Sequence, residues 1–146
     1  MITVGQLLEN KGHEVWSVGP EDTVYDTIKM MDEKHVGALA VIKGNELIGI
    51  ISERDYARQV ILKDRTSRET KVKEIMTSHV YYTHPEQNID ECLVIINQRR
   101  IRHLPVIDNG KLVGMISVGD VVKEVINEQK YTIEQLENHI SWAESY

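Results

Sequence analysis

Two serine–aspartate pairs carry polar chemistry that the sequence states twice. Ser52 and Asp55 stand in GIISERD, residues 49–55, and Ser117 and Asp120 stand in GMISVGD, residues 114–120. In each, an apolar run ends in serine, and the aspartate follows near the start of a helix. A helix N-terminus presents unpaired amides and partial positive charge, which suits a phosphate, and a serine hydroxyl adds a donor. An ionised aspartate only accepts, so it suits the two donors of a ribose diol. The pair outlines a nucleoside-phosphate site. The same spacing also describes a plain N-cap with a carboxylate matched to the helix dipole.

Basic residues upstream favour the anion-binding reading. Arg99, Arg100, Arg102 and His103 precede the hairpin strand of the second copy, where Lys34 and His35 precede that of the first. In a net-acidic chain, such a run beside a helix N-terminus is a plausible anion partner. Catalysis is not expected: the six histidines (13, 35, 79, 84, 103, 139) show no HExxH or HxH spacing, and there is no Walker A or GxGxxG sequence. No metal is expected either.

The elements that position these residues follow from an internal repeat. Val36 to Ile61 overlays Ile101 to Ile126 at a shift of 65 without a gap, and ten of 26 positions are identical, where chance would give about one or two. Each copy reads as β-α-β-β-α. Short amphipathic helices head both copies, with Val4, Leu7 and Leu8 in the first and Val72, Ile75 and Met76 in the second. Val15 to Val18 and Val80 to Tyr82 are strand candidates before Pro20 and Pro85. Thr23 with Asp26, and Asn88 with Glu91, predict capped helices burying Val24, Ile28, Met31 and Ile89, Leu93, Ile96. Hairpins turn at Lys43-Gly44-Asn45 and Asp108-Asn109-Gly110. Closing helices point Tyr56, Ala57, Val60, Ile61 and Val121, Val122, Val125, Ile126 inward.

The charged stretch Lys63 to Lys71 is the expected surface linker, giving boundaries of 1–65, 66–128 and 129–146 within one compact module. Neither half is expected to be stable alone. Beyond Tyr131, a Thr132/Gln135 capping box and a stripe of Ile133, Leu136, Ile140 and Ala143 predict an added C-terminal helix that packs on another helix.

Composition narrows the partners. A net charge of −6 and the absence of Phe argue against a nucleic-acid binder. The single Cys92 reads as core and leaves no internal disulfide, which points to the reducing cytoplasm. The chain has no apolar run of membrane-span length, and its N-terminus lacks a signal-peptide pattern.

The duplicated unit, the GIISERD and GMISVGD pattern and the IRHLPVID run resemble a tandem pair of CBS domains (the cystathionine-β-synthase type), called a Bateman module. The likeness spans about residues 1 to 128 and is greatest to small stand-alone bacterial CBS-pair proteins. It implies an α/β (α+β) fold of two pseudo-two-fold half-domains, with two clefts taking AMP, ADP, ATP, NAD or S-adenosylmethionine. The ribose residues then fall on Asp55 and Asp120, and Ser52 and Ser117 approach ribose or phosphate. The adenine falls near main chain of Ser17, Val18, Val36, Gly37 and Ala38 in one site, and of Thr83, Arg102, His103 and Leu104 in the other. Arg54, Arg100 and Arg102 become the phosphate partners. The resemblance also implies a homodimer.

The two sites are not equivalent, since Val118 and Gly119 replace Glu53 and Arg54. Grouping Arg100, Arg102 and His103 with Asp120, and using Gly119 for close phosphate approach, predicts that the Asp120 site carries most of the affinity. The leading reading is a regulatory nucleotide sensor acting on an unidentified protein. The alternatives are a structural or dimerisation module with vestigial sites, and a sensor of S-adenosylmethionine.

Overall fold

The computed structural model describes the backbone of residues 2–144 and the side-chain environments of residues 2–138. Helix α1 (Val4–Lys11) starts on a reciprocal capping box, in which Thr3 and Gln6 exchange hydrogen bonds, and ends at Gly12. Strand β1 is only Ser17–Val18; Val15 and Trp16 lie outside it. Helix α2 (Val24–Lys34) is capped by the Thr23 hydroxyl, which accepts from the Asp26 amide. Its buried residues are Val24, Thr27 and Met31, with Ile28 only partly buried.

Strands β2 (Ala38–Lys43) and β3 (Glu46–Ser52) form the first hairpin, and β1 adds in parallel to β2. Helix α3 (Glu53–Gln59) follows, then a 3-10 turn and the linker, then the short α4 (Val72–Ile75). In the second copy, α5 (Ile89–Arg99) leads to the hairpin of β4 (His103–Asp108) and β5 (Lys111–Ser117). Both hairpins shift register at the repeat-equivalent steps Val41/Ile42 and Val106/Ile107.

The sequence reading needs correcting in several places. Val80 to Tyr82 is not a strand: the second sheet has two strands, and Thr83 alone makes a parallel bridge to Val106. Asn88 occupies the N-cap of α5 without a side-chain cap bond. On α5 the buried positions are Ile89, Cys92 and Ile96, with Leu93 partly buried. Ala57, Ile61, Val122 and Ile126 are exposed, whereas Val60 and Val121 are buried. The added C-terminal helix is present, but as the unbroken continuation of the second closing helix, α6 (Val118–Glu144). Thr132 therefore caps nothing and donates back to the Glu128 carbonyl at 3.1 Å. Ile133 and Leu136 of the stripe are exposed; Ile140, Ala143 and His139 lie outside the residues whose side chains are described.

The packing crosses the boundary drawn at residues 65 and 66. One core unites Val4, Leu7 and Leu8 of α1 with Ile89, Cys92, Ile96, Leu104, Val106, Ile116 and Val121 of the second copy. The other unites Val72 and Ile75 of α4 with Val18, Val24, Met31, Leu39, Val41, Ile51 and Val60 of the first. The two copies have exchanged their head helices. The backbone repeats the exchange: Val4 and Gly5 donate to the Gln87 and Pro85 carbonyls, and Val72 and Lys73 donate to those of Asp22 and Pro20. Outside both cores, Glu21 clamps Lys71 at 2.7 Å and Lys73 at 2.8 Å. Hydrogen bonds from these two ammonium groups pull its carboxyl down to about 2.

The exchange accounts for the repeated glycines. A Cβ at Gly114 would lie 2.8 Å from Leu8 Cδ2, and one at Gly49 would lie 2.6 Å from Met76 Sδ and 3.0 Å from the Thr77 carbonyl oxygen. Each glycine lets the head of one copy lie flat on the hairpin of the other.

Candidate functional site

Each serine–aspartate pair is built as a capped helix start. The Asp55 amide donates to Ser52 Oγ at 3.2 Å, and Asp55 Oδ2 accepts from the Ser52 amide at 2.8 Å and from its hydroxyl at 3.1 Å. In the second copy, the Asp120 amide donates to Ser117 Oγ at 3.1 Å, and Asp120 Oδ2 accepts from the Ser117 amide at 2.8 Å. The capping and binding readings thus coexist, because capping engages Oδ2 and leaves Oδ1, which takes no hydrogen bond among the described residues.

What surrounds each pair is set by the packing of the copies. Helices α2 and α5 end at left-handed residues, His35 with φ 55° and Arg100 with φ 54°, at equivalent places in the repeat. The reversal swings Val36, Gly37 and Ala38, and Ile101, Arg102 and His103, back toward the middle of the molecule. One cleft, of about 810 Å³, sets Ser117 and Asp120 against Lys34 to Leu39 of the first copy. The other, of about 400 Å³, sets Ser52, Arg54 and Asp55 against Arg100 to His103 of the second. Gly37 and His103 line both clefts, which meet there.

This corrects the grouping read from sequence. Arg100 and Arg102 face Asp55, not Asp120, and Val36 and Ala38 face Asp120. Four predicted adenine positions line neither cleft. Thr83 is buried, its amide and carbonyl are held by Pro105 and Ile107, and its hydroxyl bonds Gln87. Leu104 and Val18 are core residues, and Ser17 is spent on pairing β1 with Ala40. Gly119 is exposed and also lines neither cleft.

Sequence reasoning missed residues that the exchanged heads deliver. Lys11, at the end of α1, donates to Asp120 Oδ2 and to the Met115 carbonyl, both at 2.6 Å. His13 and Trp16 line the same cleft, and the Lys34 ammonium lies 4.1 Å from the Trp16 ring centroid. In the other cleft, Arg58, His79 and Tyr81 join Arg54, Arg100 and Arg102. His79 follows α4 much as Lys11 closes α1, so the repeat of the heads held the signal, once the exchange is known.

The electrostatics of the two clefts differ accordingly. Burial acts to raise the Asp120 carboxyl, but hydrogen bonds from Lys11 and from Ser117 outweigh it, and the group sits below its ordinary 3.8. His103 is lowered from its ordinary 6.5, first by burial and then by the Lys11 and Arg102 charges, against the pull of Asp120. It therefore stands neutral between the clefts at neutral pH.

The Lys11–Asp120 pair gives a pH signature. Because the folded-state value is depressed, its stabilisation is complete above about pH 3.8 and disappears as pH falls through the lower folded value. Lys11→Met should therefore show a steady stability deficit above that pH. The deficit should narrow below it, in urea midpoints measured across the acid range.

Comparison with known proteins agrees with the repeat and the fold. The CBS-domain family profile matches residues 4–61 and 72–127. The chain is 38% identical over 148 residues to the mitochondrial CBS domain-containing protein CBSX3 of Arabidopsis thaliana, covering 94% of this chain and 71% of that protein. A solved CBS-domain protein from Burkholderia ambifaria shares 50% identity at a TM-score of 0.83, over 87% of this chain and 96% of that one. The CBS domain pair of protein MJ0100, solved with 5′-methylthioadenosine and S-adenosyl-L-methionine, shares the fold at a TM-score of 0.78 and 18% identity, over 88% of this chain and 98% of that one. With two matched repeats filling most of its length, this chain belongs to the CBS-domain family as a tandem pair.

Proposed function

We propose that this protein is a regulatory sensor that binds an adenosine nucleotide in the Asp55 cleft. The observation that carries the reading is the convergence there of an uncommitted carboxylate oxygen, on Asp55, with Arg54, Arg58, Arg100 and Arg102. The carboxylate suits a ribose diol, and the guanidinium groups suit a phosphate chain by bidentate hydrogen bonds. Ser52 and Asp55 come from one copy and Arg100 and Arg102 from the other, so a bound nucleotide bridges the two. It then favours whichever packing of the copies fits it, and so changes the surface offered to a regulated protein. The exposed arginines and the openness of the cleft to solvent suit reversible sensing rather than catalysis. AMP, ADP, ATP and NAD are the candidate ligands.

Thermal denaturation with each of these ligands and with S-adenosylmethionine tests the reading. A ligand at 100 times its Kd adds about 2.7 kcal/mol, so a phosphorylated adenosine should raise the melting temperature clearly. An unmoved melting temperature with all of them would favour the dimerisation module with vestigial sites.

A further inference from the structure

His103 stands where the two clefts meet, and the hairpin fixes it there. It opens β4 and pairs with Ser117, while the Val118 amide donates to the Arg102 carbonyl beside it. Its ring takes no hydrogen bond among the described residues, and no buried side-chain nitrogen or oxygen among them lacks a partner. The ring nitrogens of His103 are therefore open to the clefts that it lines. A Cβ at Gly37 would lie 3.8 Å from His103 Nε2 and 3.9 Å from Glu53 Oε2, which brings the first residue of α3 to the same point. The repeat sets Ala38 in the equivalent place, so the ring has no counterpart in the first copy.

Charges surround this ring from both clefts. Lys11 of α1 and Asp120 of α6 are already joined at 2.6 Å. Lys34, His35, His13 and Glu14 line the larger cleft, with Lys34 lying over Trp16 and His13 bonded to Glu9. The smaller cleft brings Glu53, Arg54, Asp55 and Arg58 of α3, His79 after α4, and Arg100 and Arg102 on the ring's own segment. Burial, then the Lys11 and Arg102 charges, keep the imidazole neutral against the pull of Asp120. An anion entering among the arginines tips that balance, because an opposite charge within about 4–6 Å favours the charged form. The imidazolium then has a donor on each nitrogen, where the neutral ring has one. We propose that His103 makes anion binding in the Asp55 cleft proton-linked: the ring takes up a proton as the anion docks, so the protein reads acidity together with a phosphate-bearing ligand. This rests on the anion-binding reading of that cleft. Because the bound anion raises the ring's value above that of the free protein, affinity is lowest above the bound value and climbs as pH falls between the two. It levels off below the free value, which lies under 6.5.

Imidazole NMR of the full chain tests this, with sulfate as the probe because its charge does not change in this pH range. At constant ionic strength, saturating sulfate should raise the His103 midpoint by about one pH unit, which means about tenfold tighter sulfate binding to the protonated protein. Arg100→Gln should shrink that rise. His103→Gln, its fold checked by melting temperature, should still bind sulfate in alkaline buffer but lose the pH dependence of the affinity. His79→Gln should keep that dependence. Sulfate that shifts the Arg100 and Arg102 resonances but not the His103 midpoint overturns this proposal alone. Sulfate that shifts none of the three overturns the anion-binding reading with it. A pH dependence that survives His103→Gln and vanishes in His79→Gln also overturns the proposal.

Discussion

Leu8→Ala will lower the stability of the protein by about 2–5 kcal/mol, and the damage will surface in the copy that lies furthest along the chain. Leu8 is 2% exposed and packs among Ile89, Leu104, Val106, Ile116 and Val121. Its methyl groups also lie where a Cβ at position 114 would stand. Little can collapse into the space left behind, because the opposing strand presents only a glycine there. Native-state hydrogen exchange should therefore lose protection first at Leu104, Val106 and Ile116, while Leu39 and Val41 keep theirs in denaturant. Earlier loss at Leu39 and Val41 would return α1 to the core of its own copy. Gly114→Val attacks the same contact from the other side, and overpacking there should cost about 1–3 kcal/mol.

The head exchange marks the limit of what the sequence discloses. Periodicity showed that Val4, Leu7 and Leu8, like Val72, Ile75 and Met76, form one apolar face each. It could not say which core receives the face, because either copy offers apolar strands of the same composition. Ten identities in 26 positions exposed the repeat and both hairpins, since strand length, turn residues and the glycine positions are local properties. Cys92 was legible as core for the same reason. The clefts were not, because they are made where two copies meet. Asp55 and Asp120 could be picked out by type and spacing, whereas the company they keep depends on how one copy lies on the other. The repeated glycines were the available clue: an invariant gap in both hairpins implies something pressed against each.

Short-range misreadings have equally definite causes. Val80 to Tyr82 has strand composition but no partner edge, since the ladder contact falls at Thr83, whose amide and carbonyl both bond β4. Thr132 and Gln135 have cap spacing, yet nothing in the residues before them ends α6, so the hydroxyl bonds within the helix instead. A cap signature starts a helix only where the preceding turn is broken.

Asp55→Ala is expected to weaken binding of a phosphorylated adenosine by ten- to a hundredfold, and Asp120→Ala to weaken it far less. The sequence alone suggested the reverse order, through a grouping of Arg100 and Arg102 with Asp120 that the packing does not support. Loss of a charge-assisted hydrogen bond to the ribose costs about 1.5–3 kcal/mol, which is that range in Kd. Among the described residues, no cationic side chain bonds the Asp55 carboxylate, while arginines stand across the cleft to take the phosphates. At Asp120, Lys11 already holds Oδ2 at 2.6 Å. A ribose there must share the carboxylate with Lys11 or displace it, and either course reduces the gain. Calorimetry on the two variants with the best-stabilising nucleotide decides the order. Lys11→Met gives the control, because freeing Asp120 should raise affinity in its cleft only. Equal losses in the two aspartate variants would mean one ligand spanning both clefts through Gly37 and His103. A larger loss in Asp120→Ala would mean that the ligand displaces Lys11, with the arginine cleft left for another anion.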